Sequence, residues 1–435
     1  MNTYNPLRQL PQTAGYKTGD ILVLFGELFG RGYANGIIEE ARGRGMTIIG
    51  ATVGRRDGEG GLRALDAAEL AAAEELLGGK IINVPLEAGF DFEATDAGPS
   101  PVEQLKGVKP DDWENVRLDM GALEESRRAG VRRFTENVAK FEAELETMIP
   151  AGANVVFVHT MAGGIPRTRV LMPLMNRIFK GQGERFLASG DFWQSDLGEL
   201  CRLSFEEVTG DTFKYLIDGT GRVREKMAAG GGKVSYAAYG YHGCEVLING
   251  EYTWQSYTPY LPGWAKISLE KHAAAAWAQG VRATVFNAPE IQTNSSALFL
   301  GVENSLYPLL EALQKEGGGP RAEEIREECR QLLRDDVSLE ALLAEANDYL
   351  ASPIMAPFKD FGTWPHHNSR EQMELMLNSS ARLMEMNRSG KEIVCAALSR
   401  AVFTGVGRLM LDTMWTPGAP VYWLNHDIIA KRLTM

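Results

Sequence analysis

The run Gly26-Glu27-Leu28-Phe29-Gly30-Arg31-Gly32 is the first place where residue types and spacing point to chemistry. Glycines permit a tight turn and let the backbone come close to a bulky anion. A helix starting just behind such a turn adds N–H groups and partial positive charge, which suits a pyrophosphate. The chain holds 47 glycines, so the spacing alone says little and its surroundings decide. GDILVLF before the turn reads as a buried strand, and in YANGIIEEARGRG behind it Ile37, Ile38 and Ala41 share one helical face. Strand, glycine turn and helix in that order are the context of a dinucleotide-binding unit. A second apolar run then ends in VGRR. An acid there would hold ribose hydroxyls, whereas Arg55 and Arg56, with no acid before Asp57, suit a 2′-phosphate. The expected cofactor is therefore NADP(H), with NAD(H) second; two solvated loop arginines are the plainer alternative.

These groups need a scaffold that brings strand ends together. Further β-type runs stand at 46–53, 80–85, 154–160, 233–239 and 281–287, with helical patterns between them. Such alternation predicts an α/β fold, a Rossmann-like doubly wound parallel sheet with insertions and a helical C-terminal extension. The fourth run leads into His159-Thr160-Met161-Ala162-Gly163-Gly164, where small residues at a strand's carboxyl end leave room for a cofactor, so Thr160, Ala162 and Gly163 join the candidate set. His159 fits a core histidine equally well. Residues 86–150 form an insertion containing a charged helix of about 117–148, a packing or subunit-contact helix consistent with a homo-oligomer. The catalytic unit is expected to span 1–317 and the extension 318–435. Within the latter, Ser369 and Gln372 resemble a capping box, and PVYWLN (420–425) could add a late strand.

The 435 residues, 44% of them hydrophobic, suffice for a large core. Lys+Arg 45 against Asp+Glu 57 leaves −12, which argues against a general nucleic-acid or anionic-membrane binder. Cys201, Cys244, Cys329 and Cys395 are scattered without metal-ligand spacing, and reduced thiols in the cytoplasm are expected. No signal-peptide core and no long apolar run are evident, so no membrane span is expected. His366-His367 has no acidic or cysteine partner at a useful spacing, and no metal is expected.

The order of these pieces resembles the short-chain dehydrogenase/reductase superfamily over roughly residues 18–300. Its G-x3-G-x-G fingerprint is matched by Gly26, Gly30 and Gly32, although Phe25 stands where Thr or Ser is usual. FNAPEIQT (286–293) is similar to the PGPI-x-T loop on the nicotinamide side: Pro289, Ile291 and Thr293 match, and Glu290 replaces a glycine. Counting back from Lys266, the two commoner tyrosine positions hold Pro262 and Pro259. The third spacing, eight residues between the pair, reaches Tyr257 and belongs to the trans-2-enoyl-CoA/enoyl-ACP reductases of longer chain. YHGCEV and TWQSY look like that family's segments, which puts Tyr241 on its second active-site tyrosine, with about six extra residues near LINGEY.

The resemblance implies an NAD(P)H-dependent reductase of a 2-enoyl thioester carried by acyl carrier protein or CoA. Tyr257 would polarise the thioester carbonyl, Tyr241 would assist, and Lys266 would orient both tyrosine and cofactor. A tyrosine hydroxyl can donate to an enolate oxygen inside an apolar pocket, and a nearby cation brings its proton into range. Tyr260 is a rival donor, and six tyrosines between 236 and 260 make some favourable spacing unsurprising. Phe192, Trp193, Trp254 and Trp264 could line an acyl-binding cavity, but core packing is the expected role of any one of them. A carbonyl or hydroxysteroid-type oxidoreductase, or a silent NADP-binding scaffold, remain the competing readings.

Overall fold

In the computed structural model, which describes residues 4–12, 15–58, 60–256, 263–294 and 298–435, the apolar runs become strands where their patterns place them. These are β1 (Ile21–Phe25), β2 (Thr47–Thr52), β3 (Lys80–Pro85), β4 (Val155–His159), β5 (Val234–Gly240) and β6 (Ala283–Asn287). PVYWLN supplies β7 (Val421–Trp423). All seven pair in parallel in the order β7-β6-β5-β4-β1-β2-β3.

A parallel sheet with continuous apolar strands must be covered on both faces. Leu22, Leu24, Val156 and Val158 turn to one core; Ile21, Val23, Phe25, Val155 and Phe157 turn to the other. Helices α1 (Tyr33–Gly43) and α4 (Val394–Trp415) contribute to the first core, while α2 (Met120–Met148) and α3 (Gly263–Ala278) contribute to the second. The charged helix expected at 117–148 is thus α2, opened by an Asp119 side chain that accepts from the Gly121 and Ala122 N–H groups.

Helix α4 is long and apolar enough to cross a bilayer by length and hydropathy, yet 72% of its apolar window is buried inside the fold. Its exposed residues, Arg400, Thr404 and Arg408, form a single stripe at four-residue spacing. A helix apolar on nearly all sides is a core helix here. It meets α1 through glycine: a Cβ on Gly36 would lie 1.8 Å from the Phe403 carbonyl oxygen, and one on Gly407 would lie 2.2 Å from the Gly36 carbonyl carbon. The C-terminal third is therefore woven into the dinucleotide-binding layer, with α4 on the sheet and β7 hydrogen-bonded to β6. The Ser369 cap is present, accepting from the Gln372 N–H at 3.2 Å. No disulfide joins the four cysteines, all of which are buried.

Because the α1–α4 backbones touch, Gly36→Val should lower unfolding free energy by about 3 kcal/mol, the upper range for overpacking. Urea unfolding checks this, and a loss under about 0.5 kcal/mol would mean the helices separate freely.

Candidate active site

The carboxyl ends of β1 and β4 lie at the point where strand order reverses, the place where open α/β sheets bind ligands. A cavity of about 530 Å³ opens there. At its base Gly26 adopts φ 132°, and a Cβ would sit 2.4 Å from Thr160 Oγ1. Thr160 Oγ1 in turn donates to the Phe25 carbonyl at 3.2 Å, so the two strand ends clamp each other. Gly32 is the N-cap of α1 and has no side-chain capping bond; with Tyr33, Ala34 and Asn35 it lines the cavity. A helix N-terminus without a side-chain cap is a built anion site, so the residues present fit a pyrophosphate.

Of the residues singled out from the sequence, Arg31, Gly32, Thr160, Ala162, Gly163, Tyr241, Lys266, Ile291 and Thr293 line this cavity. Gly30 stands in the turn itself. Pro289 acts from behind, its carbonyl accepting from the Tyr33 hydroxyl. Tyr257, Tyr260 and the prolines 259 and 262 lie outside the described residues.

Arg55 and Arg56 do not do what their types suggested. Arg55 pairs with Glu27, a residue of the glycine turn that itself lines the cavity. Arg56 is partly buried, donates to Glu87 Oε1 at 3.0 Å and stacks over the Phe92 ring at 4.5 Å. Both guanidinium charges are neutralised by carboxylates, and neither side chain reaches the cavity wall. The NADP(H) preference expected from VGRR is therefore not supported. Glu27 stood in view in the sequence, but its pairing joins residues 28 positions apart and no local pattern signals it.

Lys266 and Tyr241 come together from different elements. Tyr241 follows β5, and Lys266 sits in the first turn of α3. The Lys266 ammonium is buried, donates to the Tyr239 carbonyl at 2.9 Å and lies 5.4 Å from the centre of the Tyr241 ring. Burial pulls its pKa down to about 7. A polar lock fixes the turn that carries Tyr241: the His242 N–H donates to Asn287 Oδ1 at 2.9 Å, and Asn287 Nδ2 donates to the fully buried Glu270 at 2.8 Å. His242 Nδ1 reaches the same Glu270 oxygen at 3.0 Å. Strand β6, helix α3 and the Tyr241 turn are thereby held in one register.

A π-helical turn, Glu206–Asp211, braces the other wall, with Thr209 donating to the Gly163 carbonyl at 2.9 Å. His159 belongs to the core. Thr212 spends its hydroxyl proton on the Val208 carbonyl, so the imidazole Nε2–H donates to Thr212 at 2.8 Å. Burial, with Lys266 nearby, holds that imidazole well below its usual pKa and neutral. The four aromatics considered for an acyl pocket pack elsewhere. Phe192 meets Trp113, Trp193 stacks on Phe205, Trp254 joins Tyr4, Phe361 and Trp423, and Trp264 stacks on His366 at 4.3 Å. His367 points to Ser189 at 3.2 Å, and no metal-ligand cluster occurs among the described residues.

The sheet order and the cavity at its switch point define a Rossmann-like α/β protein. A family model described as the enoyl-acyl carrier protein reductase FabMG matches residues 3–433, and the chain belongs to that family. A solved apo structure of FabMG, described as a novel type of enoyl-acyl carrier protein reductase, is 50% identical, with a TM-score of 0.96, covering 100% of this chain and 98% of its own. An NADH-bound FabMG structure is 42% identical, with a TM-score of 0.80 and coverage of 100% and 99%. No protein with a curated description matches the sequence.

A lysine whose folded pKa lies below its unfolded value of 10.5 leaves the unfolded chain binding more protons between about 7 and 10.5. Lys266 thus costs most stability below pH 7, and the cost fades as pH rises toward 10.5. Lys266→Met should raise the melting temperature clearly at about pH 6 and much less at about pH 9.5. An equal gain at both pH values would show that the ammonium is not desolvated.

Proposed function

We propose that this enzyme uses NADH to reduce the C=C bond of a 2-enoyl thioester on acyl carrier protein, with Tyr257, Tyr241 and Lys266 as its site. The observation that carries the reading is the buried Lys266 beside Tyr241, in the same cavity as the uncapped N-terminus of α1. The FabMG relative described as NADH-bound supports the choice of cofactor, and the paired state of Arg55 and Arg56 agrees with it. The superfamily resemblance, with its Tyr257–Lys266 spacing, belongs to the same proposal.

Reduction requires a hydride at Cβ, a proton at Cα and stabilisation of negative charge on the thioester oxygen in between. Bound NADH would supply the hydride. A tyrosine hydroxyl donating to the developing enolate oxygen lowers the barrier because it is already oriented in a site of low dielectric. Lys266 holds a positive charge beside the Tyr241 ring while protonated, favouring that donation. Its position is set by the Tyr239 carbonyl, so the charge is fixed relative to the sheet edge.

The direct test is NADH oxidation with crotonyl-CoA and enoyl-acyl carrier protein, beside ketone substrates. Tyr257→Phe and Tyr241→Phe should separate the proton donor from its helper: the donor variant loses about 100-fold or more in kcat, the helper variant less. Ketone reduction without enoyl reduction would remove the proposed substrate, and full activity in both variants would remove the site. Glu27→Ala removes the nearer of the two carboxylates beside Arg55 and leaves only Glu69 at 4.0 Å, so kcat/KM for NADPH relative to NADH should rise about tenfold. An unchanged ratio would mean Arg55 lies out of reach of a 2′-phosphate.

A further inference from the structure

A second, smaller cavity of about 50 Å³ adjoins the first, and Glu290 and Phe299 line both. Its far wall belongs to the C-terminal helices: Leu350 from Leu339–Ala351, Met355 and Phe358 from Pro353–Lys359, and Met376 from Arg370–Glu385. These four side chains are buried and part of one hydrophobic cluster. Gln255, Ser256 and Gln372 give the cavity a polar side. By the measure in which one water-sized group occupies roughly 10–15 Å³, the space takes a run of about four methylene-sized groups.

We propose that this second cavity receives the distal end of the substrate's acyl chain, so that the C-terminal helices, Met376 foremost, set the chain length the enzyme accepts. The inference rests on the enoyl-thioester reading above. The cavity continues from the wall that carries Glu290 and Ile291, beside Lys266 and Tyr241, so an alkyl tail can enter it while the thioester stays at Tyr241. An apolar wall rewards each methylene that leaves water, and a full cavity excludes the next one. Met376 is suited to set the limit: its Cγ and Sδ press against Gly301, where a Cβ would lie 2.7 Å and 2.8 Å from them. Glu290, where the resembling loop has glycine, stands at the junction, and burial with Glu303 behind it pushes its carboxyl up to about 8. A neutral carboxyl there would not repel an alkyl chain as a carboxylate would.

The test compares kcat/KM for enoyl thioesters of four, eight and twelve carbons in the wild type, Met376→Ala and Met355→Ala, with Met376→Leu as a volume-conserving control. Truncation should raise the twelve-carbon to four-carbon ratio about tenfold, with the control near wild type. Should Met376→Ala fail to fold, Met355→Ala reads the same wall. Identical profiles in the wild type and in every folded truncation variant would overturn the subsite while leaving the reductase reading intact. No turnover of any enoyl thioester by the wild type would instead remove that reading, and the subsite with it.

Discussion

A single buried cation ties this structure together. Lys266 takes an ammonium out of water at the carboxyl edge of the sheet, where it donates to the Tyr239 carbonyl and faces the Tyr241 ring. Desolvating a charge is expensive, and the cost is visible as a pKa drawn down to about 7. Everything around the site is arranged so that this expense is met by rigid neighbours. Strand β5 supplies the carbonyl, helix α3 supplies the lysine, and Glu270 with Asn287 and His242 holds the two together. A lysine held in this way can switch charge near neutral pH, which a solvated lysine does not.

Electrostatics also decides the nucleotide end. Two adjacent arginines after β2 would be a phosphate clamp if their charges were available. Glu27 and Glu87 consume both, and Glu87 holds Arg167 as well at 2.8 Å. Neither arginine is thus a free cation, and the uncapped helix N-terminus beside them is the feature suited to a pyrophosphate.

Most of the fold was legible in the chain. Six strands fall within one or two residues of their apolar runs, because a parallel strand buried on both faces has to be apolar throughout. The glycine turn, the Thr160–Gly163 segment and the Ile291–Thr293 loop all reached the cavity for a related reason: small residues and glycines mark places where something must approach the backbone. The errors lie where a side chain's partner is distant in sequence. Arg55 and Arg56 read as free cations because carboxylates 28 and 31 residues away leave no local trace. The helical C-terminal extension and its late strand were also legible, but helix periodicity does not say which surface a helix covers.

By itself, then, the amino-acid sequence determined the α/β class, the strand boundaries and the position of the glycine turn, all of which follow from local apolar patterning and glycine geometry. Only the tertiary structure decided that α4 and β7 complete the sheet layer, that the arginines are neutralised, and that Lys266 meets Tyr241 in one cavity. Those are pairings between distant segments, set by packing and by the need of buried polar groups for hydrogen-bond partners, and they exist only once the chain has closed on itself.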